Sequence, residues 1–218
     1  MIGEEAPRAI STPARYDPRM RSDLSARALS CLALFALFAC SPQPHVLPQA
    51  AAQESAAPRW AEPLERPGLP NLHRVSPTLY RGAQPEAEGF LELRKLGVKS
   101  VLSLRGFHPD DIPPDAALQY ERISFKTWHP EDEDVVRFLR YLADPGHQPV
   151  FLHCLHGADR TGMMTAIARI ALEGWTKDQA LAEMTQGPFG FHEEWQNLVK
   201  YVRELDVERL AREAGVQR

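Results

Sequence analysis

The sequence lacks several features that would assign a function at once. No internal repeat is visible, and a formal net charge of −4 gives no indication of a nucleic-acid partner. No cluster of histidines and acidic residues has the spacing of metal ligands, so neither a metal nor another cofactor is expected. The apolar and charged fractions, 44% and 25%, are ordinary for a globular protein.

Long hydrophobic runs are also missing, because the apolar stretch at residues 28–39 is too short for a comfortable transmembrane helix. It follows a basic segment that begins at Met20, which is a more natural translation start than Met1. A basic segment followed by a short apolar stretch is typical of a secretory signal. We assign residues 1–40 to an N-terminal extension and signal segment. Residues 41–70, dense in Pro, Ala and Gln, are interpreted as a semi-extended tether.

Cysteine is scarce, with three residues in the whole chain. Residues 37–40, Leu-Phe-Ala-Cys, resemble a bacterial lipobox, and this resemblance implies a lipid anchor at Cys40 and export to the outer membrane. An ordinary cleaved signal and a retained anchor are the alternatives, and each also places the domain outside the cytoplasm. If Cys31 is removed and Cys40 is acylated, Cys154 is the one thiol left and no intramolecular disulfide can form.

Residues 71–213 are the predicted globular domain, in which strands alternate with helices. An edge strand carrying Pro77 is expected from residue 75, with further strands at residues 98–104, 118–125 and 149–153. Helices are expected at residues 85–96, 135–142, 161–173, 177–186 and 191–205, with Thr176 as the cap of the helix that begins at residue 177. This alternation predicts an α/β fold with a mostly parallel central sheet and helices on both faces. Ligands of such sheets bind at the carboxyl ends of the strands.

The most informative stretch is residues 149–162, where a short apolar run ends at Cys154, a small polar loop follows, and a helix begins at Thr161. A loop at a helix start presents unpaired N–H groups at the positive end of the helix dipole, which suits a phosphate-sized anion. The same field favours a thiolate at Cys154. Arg160 carries a planar set of donors that can bind two oxygens of a tetrahedral oxyanion.

These residues resemble the Cys-x5-Arg-[Ser/Thr] signature of protein tyrosine and dual-specificity phosphatases, in the extended form His-Cys-x-His-Gly-x-x-Arg-Thr-Gly. Leu-Tyr-Arg-Gly-Ala-Gln-Pro at residues 79–85, Glu-Gly-Trp at 173–175 and the Gly-Pro-Phe-Gly turn at 187–190 extend the similarity over about residues 71–210. On these stretches the chain resembles bacterial secreted dual-specificity phosphatases, including the periplasmic biofilm-regulating kind. The resemblance implies the cysteine-phosphatase fold and a phosphomonoesterase activity without a cofactor.

The chemistry of such an enzyme assigns roles within the loop. Cys154 is the expected nucleophile, which forms a cysteinyl-phosphate in the first of two in-line displacements. By analogy with the family, Thr161 donates a hydrogen bond to the Cys154 sulfur, and His153 orders the loop through a backbone hydrogen bond. The phosphate oxygens are expected to bind the Arg160 side chain and the N–H groups of the loop. These belong to Leu155, His156, Gly157, Ala158, Asp159 and Arg160.

Three loop side chains bear on the choice of substrate. His156 either lines the rim of the loop or is simply solvated. Asp159 places a negative charge beside the anion site, which should weaken binding of highly phosphorylated ligands unless it points away. Leu155 stands where relatives often carry Lys, so one cation is missing. The charge of Asp159 and the missing cation at Leu155 both argue against an enzyme that is specific for highly phosphorylated substrates.

The general acid is the role that the motif does not identify. Relatives place an Asp in the loop before the helix that precedes the catalytic strand, and residues 127–130, Thr-Trp-His-Pro, contain none. We choose Asp132, because it completes a Trp-x-Pro-x-Asp pattern that resembles the acid loop of tyrosine phosphatases. Asp110, Asp111 and His129 are the alternatives, and acids near Asp132 also suit the first turn of a helix.

The leading hypothesis is a hydrolase of phosphotyrosine and possibly of phosphoserine and phosphothreonine in proteins or small esters. A phosphate-binding module with little turnover and a phosphatase of inositol or lipid phosphates are the alternatives. Sulfur or arsenate chemistry is disfavoured: rhodanese loops have one residue fewer, and thiol-linked arsenate reductases use further cysteines.

Overall fold

The computed structural model describes residues 58–216. By its internal contacts the chain divides into two units, residues 1–51 and 52–218, and the described residues belong to the second. The predicted signal segment, with Cys31 and Cys40, and residues 41–57 of the predicted tether lie outside the described residues. Among residues 58–216, no helix has the length and apolar character needed to cross a membrane.

A six-stranded sheet forms the centre of the described domain. Its strands in chain order are β1 (Glu62–Pro63), β2 (His73–Ser76), β3 (Leu79–Gly82), β4 (Ser100–Ser103), β5 (Gln119–Arg122) and β6 (Val150–His153). They lie in the order β1-β2-β3-β6-β4-β5. The pairs β1 with β2 and β2 with β3 are antiparallel, whereas β3, β6, β4 and β5 are mutually parallel. The catalytic strand β6 therefore lies inside the sheet, between β3 and β4.

Six helices complete the domain, together with short 3-10 helices at Pro114–Ala116 and Glu193–Trp195. They are α1 (Ala87–Lys95), α2 (Asp132–Ala143), α3 (Asp159–Glu173), α4 (Lys177–Gln186), α5 (Gln196–Glu204) and α6 (Val207–Glu213). Twelve of the 15 residues of α3 are buried, so this helix is enclosed on most sides. The predicted cap Thr176 is confirmed: its hydroxyl accepts from the Gln179 N–H in a reciprocal capping box.

Alternate side chains of the parallel strands point to opposite faces of the sheet, each covered by helix. On one face, Val150 and Leu152 of β6 join the core built with α2 to α6. On the other, Phe151 packs in a smaller core with Phe90 and Leu93 of α1. Both faces are apolar because a parallel strand inside such a sheet is buried on both sides. The predicted α/β fold with helices on both faces is confirmed.

The domain begins earlier than the predicted boundary at residue 71. Ala61 and Leu69 are buried, and the Ala61 N–H donates to Glu183 Oε1 at 2.6 Å. Strand β1 pairs with β2 in this same segment. The assignment of all of residues 41–70 to a tether is therefore wrong for residues 58–70. The reason is physical: this part carries apolar side chains that the core buries, although its proline content resembles that of a linker.

A second difference concerns the predicted edge strand from residue 75. The chain forms two strands there, β2 and β3, which turn at Pro77 and Thr78. Strand β3 is not at an edge, because it pairs in parallel with β6 over Leu79 to Gly82. Pro77 therefore marks the turn between β2 and β3 and does not mark an edge strand. Strand β3, which follows this turn, supports the loop after β6.

Candidate active site

The loop after β6 places Cys154 at the carboxyl end of the central strand, immediately before α3. Cys154 is 2% exposed, and Gly157, Ala158 and Asp159 are also buried. Leu155 and His156 are exposed on the outside of the loop. Cys154 is thus a buried free thiol in the loop that leads into α3, a helix of 15 residues whose N-terminal N–H groups and dipole suit an anion.

Successive carbonyl oxygens of this loop are bound by the surrounding scaffold. Leu155 O accepts from the Gln84 N–H at 3.1 Å, and His156 O accepts from Asn71 Nδ2 at 2.9 Å. Gly157 O accepts from Arg81 Nη2 at 2.7 Å, and Ala158 O from the Gly162 N–H at 2.7 Å. Within the described residues, the N–H groups of residues 155–158 have no hydrogen-bond acceptor. The loop therefore presents a set of free amide donors, as an anion site requires.

Gly157 is required by the fit of the loop against β3. Its φ is +72°, and a Cβ there would lie 2.4 Å from the carbonyl carbon and oxygen of Gly82. Any side chain would strain the backbone and push the loop away from the strand. Because of this close approach, the loop before α3 lies directly against the end of β3, although the two are far apart in sequence.

Arg160 and Thr161 occupy the first turn of α3. Arg160 Nη1 donates to Leu104 O at 3.2 Å, so the guanidinium lies at the carboxyl ends of the strands. Thr161 is fully buried, and its hydroxyl has no hydrogen-bond partner among the described residues. The expected hydrogen bond from Thr161 to the Cys154 sulfur is therefore not formed in this structure. A buried hydroxyl without a partner in the protein remains free to donate.

His153 has the supporting place that the resemblance implied. Its Nδ1 lies 3.1 Å from the Cys154 carbonyl oxygen and its Nε2 lies 2.7 Å from Asp110 Oδ2. Both side chains are fully buried. Since the carbonyl can only accept, Nδ1 carries a proton, and the contact with Asp110 then requires a further proton on Nε2 or on the carboxyl group. The pair ties the loop after β4 to the base of the catalytic loop.

Asp159 turns away from the anion site towards His192. Asp159 Oδ1 accepts from the His192 N–H at 2.9 Å, and His192 Nδ1 lies 2.9 Å from Asp159 Oδ2. This hydrogen bond and the charge of Asp159 raise the pKa of His192 above its usual value. The His192 ring also lies 5.6 Å from the ring of His156. The negative charge expected to oppose phosphate is thus held and partly balanced by a histidine.

Comparison with known proteins agrees with this geometry. A family model described as "DSP-PTPase phosphatase fused to NAD+ Kinase" matches residues 70–197. The dual specificity protein phosphatase TpbA of Pseudomonas aeruginosa, strain UCBPP-PA14, is 40% identical over 166 residues, 73% of this chain and 74% of TpbA. This chain belongs to the DSP-PTPase family. The predicted family and cysteine-dependent phosphatase class are confirmed.

Solved and curated relatives of this phosphatase span most of the described domain. A crystal structure of P. aeruginosa TpbA in complex with pTyr is 35% identical with a TM-score of 0.64, and the match covers 75% of this chain and 99% of that one. Inositol diphosphatase DSP5 of Arabidopsis thaliana is 28% identical over 151 residues, 65% of this chain and 72% of that protein.

Asp132, chosen from the sequence as the general acid of the phosphatase, is engaged elsewhere. Tyr201 Oη donates to Asp132 Oδ1 at 2.7 Å, and Arg209 Nη2 binds Oδ2. Burial and then this hydrogen bond raise the pKa of Tyr201. Asp132 therefore links the start of α2 to α5 and α6, and both its oxygens are occupied. In this structure neither oxygen is free to serve a leaving group, which the local sequence pattern could not show because both partners lie about 70 residues later.

The alternatives for the acid fall into different settings. Asp110 is buried under the loop with His153, and Asp111 is exposed beside it. His129 is exposed, with Nε2 3.7 Å from Glu131 Oε1. Asp134, in the first turn of α2, has a raised pKa, first because of burial and then because of Glu131. A carboxyl group that keeps its proton to higher pH suits a general acid better than one with two donors.

Exposed apolar side chains gather at the same edge of the sheet as Cys154. Phe107 is 83% exposed, Trp128 63% and Leu155 44%, and they follow the adjacent strands β4, β5 and β6. We call these three residues the apolar collar. Among the described residues, no group of three or more His, Cys, Asp or Glu is arranged to hold a metal ion.

Several supporting residues could not be identified from the sequence alone. Arg81 and Gln84 lie within the stretch 79–85 that carries the family resemblance, but nothing in their spacing connects them to the loop. Asn71 and His192 stand alone in segments without a pattern. Their roles follow from contacts across the sheet and between α3 and the 3-10 helix, which only the fold reveals.

Proposed function

We propose that this phosphatase hydrolyses phosphotyrosine through a covalent intermediate on Cys154. The observation that carries the proposal is the catalytic loop, whose carbonyl oxygens are bound by the scaffold while the N–H groups of residues 155–158 remain free. These donors and the Arg160 guanidinium would hold the three non-bridging phosphate oxygens. Preorganised donors of this kind stabilise the charge that develops in the transition state.

The reaction takes two displacements at phosphorus. The Cys154 thiolate forms a sulfur–phosphorus bond as the bond from phosphorus to the tyrosyl oxygen breaks, and that oxygen takes a proton from a general acid. Water then attacks the cysteinyl-phosphate and gives a proton to the same group, which is now a general base. The sulfur–phosphorus bond breaks, and inorganic phosphate and the thiolate are released. The hydroxyl of Thr161, which has no hydrogen-bond partner among the described residues, would donate to the sulfur as it leaves.

The preference for an aromatic ester is supported by the apolar collar and by the relative that was crystallised with pTyr. An aromatic ring between the phosphate site and the protein surface would lie against Phe107, Trp128 and Leu155. Apolar and aromatic contacts give a ring far more binding than they give the short side chains of phosphoserine and phosphothreonine.

A panel of substrates tests this proposal. Phosphotyrosine, phosphoserine and phosphothreonine peptides of one sequence are compared with phenyl phosphate and p-nitrophenyl phosphate. We expect the highest kcat/KM on the tyrosine peptide and no turnover by Cys154→Ser. Equal turnover by Cys154→Ser would exclude the covalent mechanism. Binding of phosphopeptides without turnover of phenyl phosphate would instead indicate a phosphate-binding module.

More highly phosphorylated substrates, such as inositol phosphates, are a second candidate class. The specific observation is that Asp159 points towards His192, so the repulsion expected from the sequence is reduced. One related protein carries the name inositol diphosphatase. Adding inositol phosphates to the panel separates the classes, because hydrolysis of them at a higher kcat/KM than the tyrosine peptide would favour this second candidate.

Export and lipid anchoring at Cys40 are a separate proposal that rests on residues 20–41 of the sequence. Expression of the full chain in a Gram-negative host, followed by fractionation and acyl labelling, tests it. We expect label and outer-membrane location in the natural chain and loss of both in Cys40→Ala. Retention of membrane location without label would indicate an uncleaved signal anchor instead.

A further inference from the structure

Arg81 is a buried cation directly beneath the catalytic loop. It lies in β3 in register with Leu152 of β6, two residues before Cys154, and its side chain is fully buried. Its Nη2 donates to Gly157 O at 2.7 Å and lies 3.5 Å from Ala158 O. The guanidinium also covers the ring of Phe189 at 3.8 Å. Arg81 therefore touches the backbone of the loop without reaching the surface.

Arg169, the second buried arginine of the described domain, has the carboxylate partners that Arg81 lacks. Arg169 binds Glu183 through Nε and Nη2 at 2.9 and 2.8 Å, and Glu173 through Nη1 at 2.6 Å. Arg81 has no carboxylate in ion-pair contact within the described residues, and its Nε and Nη1 have no hydrogen-bond partner there. A buried charge without a partner is costly, so its retention calls for an anion nearby.

The Arg81 guanidinium lies close to the start of α3, and this position increases the cost of burying its positive charge. A Cβ on Gly162 would lie 3.7 Å from Arg81 Nη2, so the guanidinium is close to the first turn of the helix, where the dipole disfavours a cation. Burial lowers the pKa of Arg81 to about 10, while the charges of Glu183 and then of Cys154 act in the opposite direction. Arg81 thus remains charged at neutral pH.

We propose that Arg81 is a positioning residue for the phosphatase reaction: its buried charge is a fixed counter-charge for the Cys154 thiolate, and its N–H group holds the Gly157 carbonyl away from the phosphate. This inference rests on the proposed function, since it concerns the same nucleophile. Arg160 differs from it, because Arg160 faces the phosphate and Arg81 lies behind the loop.

Other ionisable groups around the sulfur must stay unchanged in any test. They are Arg160 on α3, His153 with Asp110 from the loop after β4, Asp159 with His192, His156 on the loop, and, facing Arg81 itself, His73 of β2 and Glu183 of α4.

The test is the pH dependence of Cys154 alkylation by iodoacetamide, which measures the thiolate without any turnover. We expect Arg81→Met to raise the pH midpoint by about one unit, a tenfold loss of thiolate at lower pH. Arg81→Lys, which keeps a cation, should restore most of the midpoint. Arg137→Met is the control, because it removes an arginine from the exposed surface of α2, where Arg137 pairs with Glu121, and should leave the midpoint unchanged. An unchanged midpoint in folded Arg81→Met would overturn the proposal.

Arg81→Lys also tests the backbone contact and remains informative if Arg81→Met does not fold. Its ammonium cannot reproduce the planar guanidinium that reaches Gly157 O, so we expect at least about tenfold lower kcat on phenyl phosphate with a nearly normal alkylation midpoint. Full kcat in Arg81→Lys would overturn the positioning role. A raised alkylation midpoint in Arg81→Met, together with no phosphatase activity in the natural chain, would instead refute the proposed function and leave the counter-charge role of Arg81 standing.

Discussion

At the scale of single residues, the chemistry depends on which backbone groups of the loop are already bound. The carbonyl oxygens of Leu155, His156 and Gly157 accept from three different parts of the scaffold. Peptide groups carry their N–H opposite their C=O, so fixing the oxygens outward directs the donors inward. The anion site is therefore prepared before any substrate binds, which is what lowers the barrier for phosphoryl transfer.

His192 predicts a pH dependence of oxyanion binding. Its raised pKa means that it is protonated, and balances Asp159, up to a higher pH than an isolated histidine; that balance is lost as pH rises through the raised value. Sulfate, which does not titrate in this range, serves as a competitive inhibitor. We expect its inhibition constant to rise with pH in the natural protein and to be high at every pH in His192→Asn. Parallel profiles for the two proteins would contradict this role.

We predict that Asp110 positions the catalytic loop through His153 and does not act as the general acid. Asp110→Asn keeps a hydrogen bond to His153 but replaces the carboxyl group with an amide, so the base of the loop shifts and kcat should fall about 10- to 100-fold. We expect the same factor on phenyl phosphate and on p-nitrophenyl phosphate, whose leaving group hardly needs a proton. Asp111→Asn, at the exposed neighbour, is the control and should change little. A loss confined to phenyl phosphate would identify Asp110 as the general acid instead.

At the scale of elements, the start of α2 is fixed to the C-terminal helices by one carboxylate. Asp132 binds Tyr201 of α5 and Arg209 of α6, and Arg140 of α2 donates to Glu213 O at 3.2 Å. These contacts hold α2, which precedes the catalytic strand, against the helices that cover the same face of the sheet. We therefore expect Asp132 to contribute to stability rather than to proton transfer.

Asp132→Asn should lower the melting temperature by about 2 to 4 °C, because a partly exposed charged hydrogen bond contributes modestly to stability. Its kcat on phenyl phosphate should stay within about twofold of the natural protein, as measured at a temperature where both are folded. Asp134→Asn is the comparison, because its carboxyl group in the same turn has a raised pKa. A large loss of kcat in Asp132→Asn alone would restore it as the general acid.

At the scale of the whole molecule, the phosphatase domain includes the segment before residue 71. Residues 58–70 add β1 to the sheet and bury Ala61 and Leu69. The same segment meets the buried ion pair of α3 and α4, since Arg169 Nη2 donates to Arg59 O at 3.2 Å and Glu183 Oε1 accepts from the Ala61 N–H. The segment is thus part of the core.

A chain that begins at Asn71 should be less stable than one that begins at Ala52. The loss of the buried Leu69 side chain alone is worth about 2 kcal/mol of unfolding free energy. Denaturant unfolding of the two chains measures the difference. Equal stability would show that the segment only lies on the surface and would support the boundary predicted from the sequence.

A feature could be predicted from the sequence where the residues that form it are close together in the chain. Cys154 and Arg160 stand in one loop between an apolar strand and a helix, so the anion site and its family were evident from contiguous residues. The helix boundary at Thr176 was equally local. The contacts of Asp132 could not be predicted, because its partners, Tyr201 and Arg209, are remote in sequence and first-turn acids look alike. Arg81 carries no local signal, because its role arises only where β3 pairs with β6.

The central claim is that Cys154 accepts a phosphoryl group within this loop, and one measurement tests it most directly. The natural protein is mixed with a phosphotyrosine peptide, quenched in acid within milliseconds, digested, and analysed by mass spectrometry. The account predicts a phosphoryl adduct on the peptide that contains Cys154, and none in Cys154→Ser. Steady turnover of the peptide with no adduct on Cys154 at any quench time would contradict it.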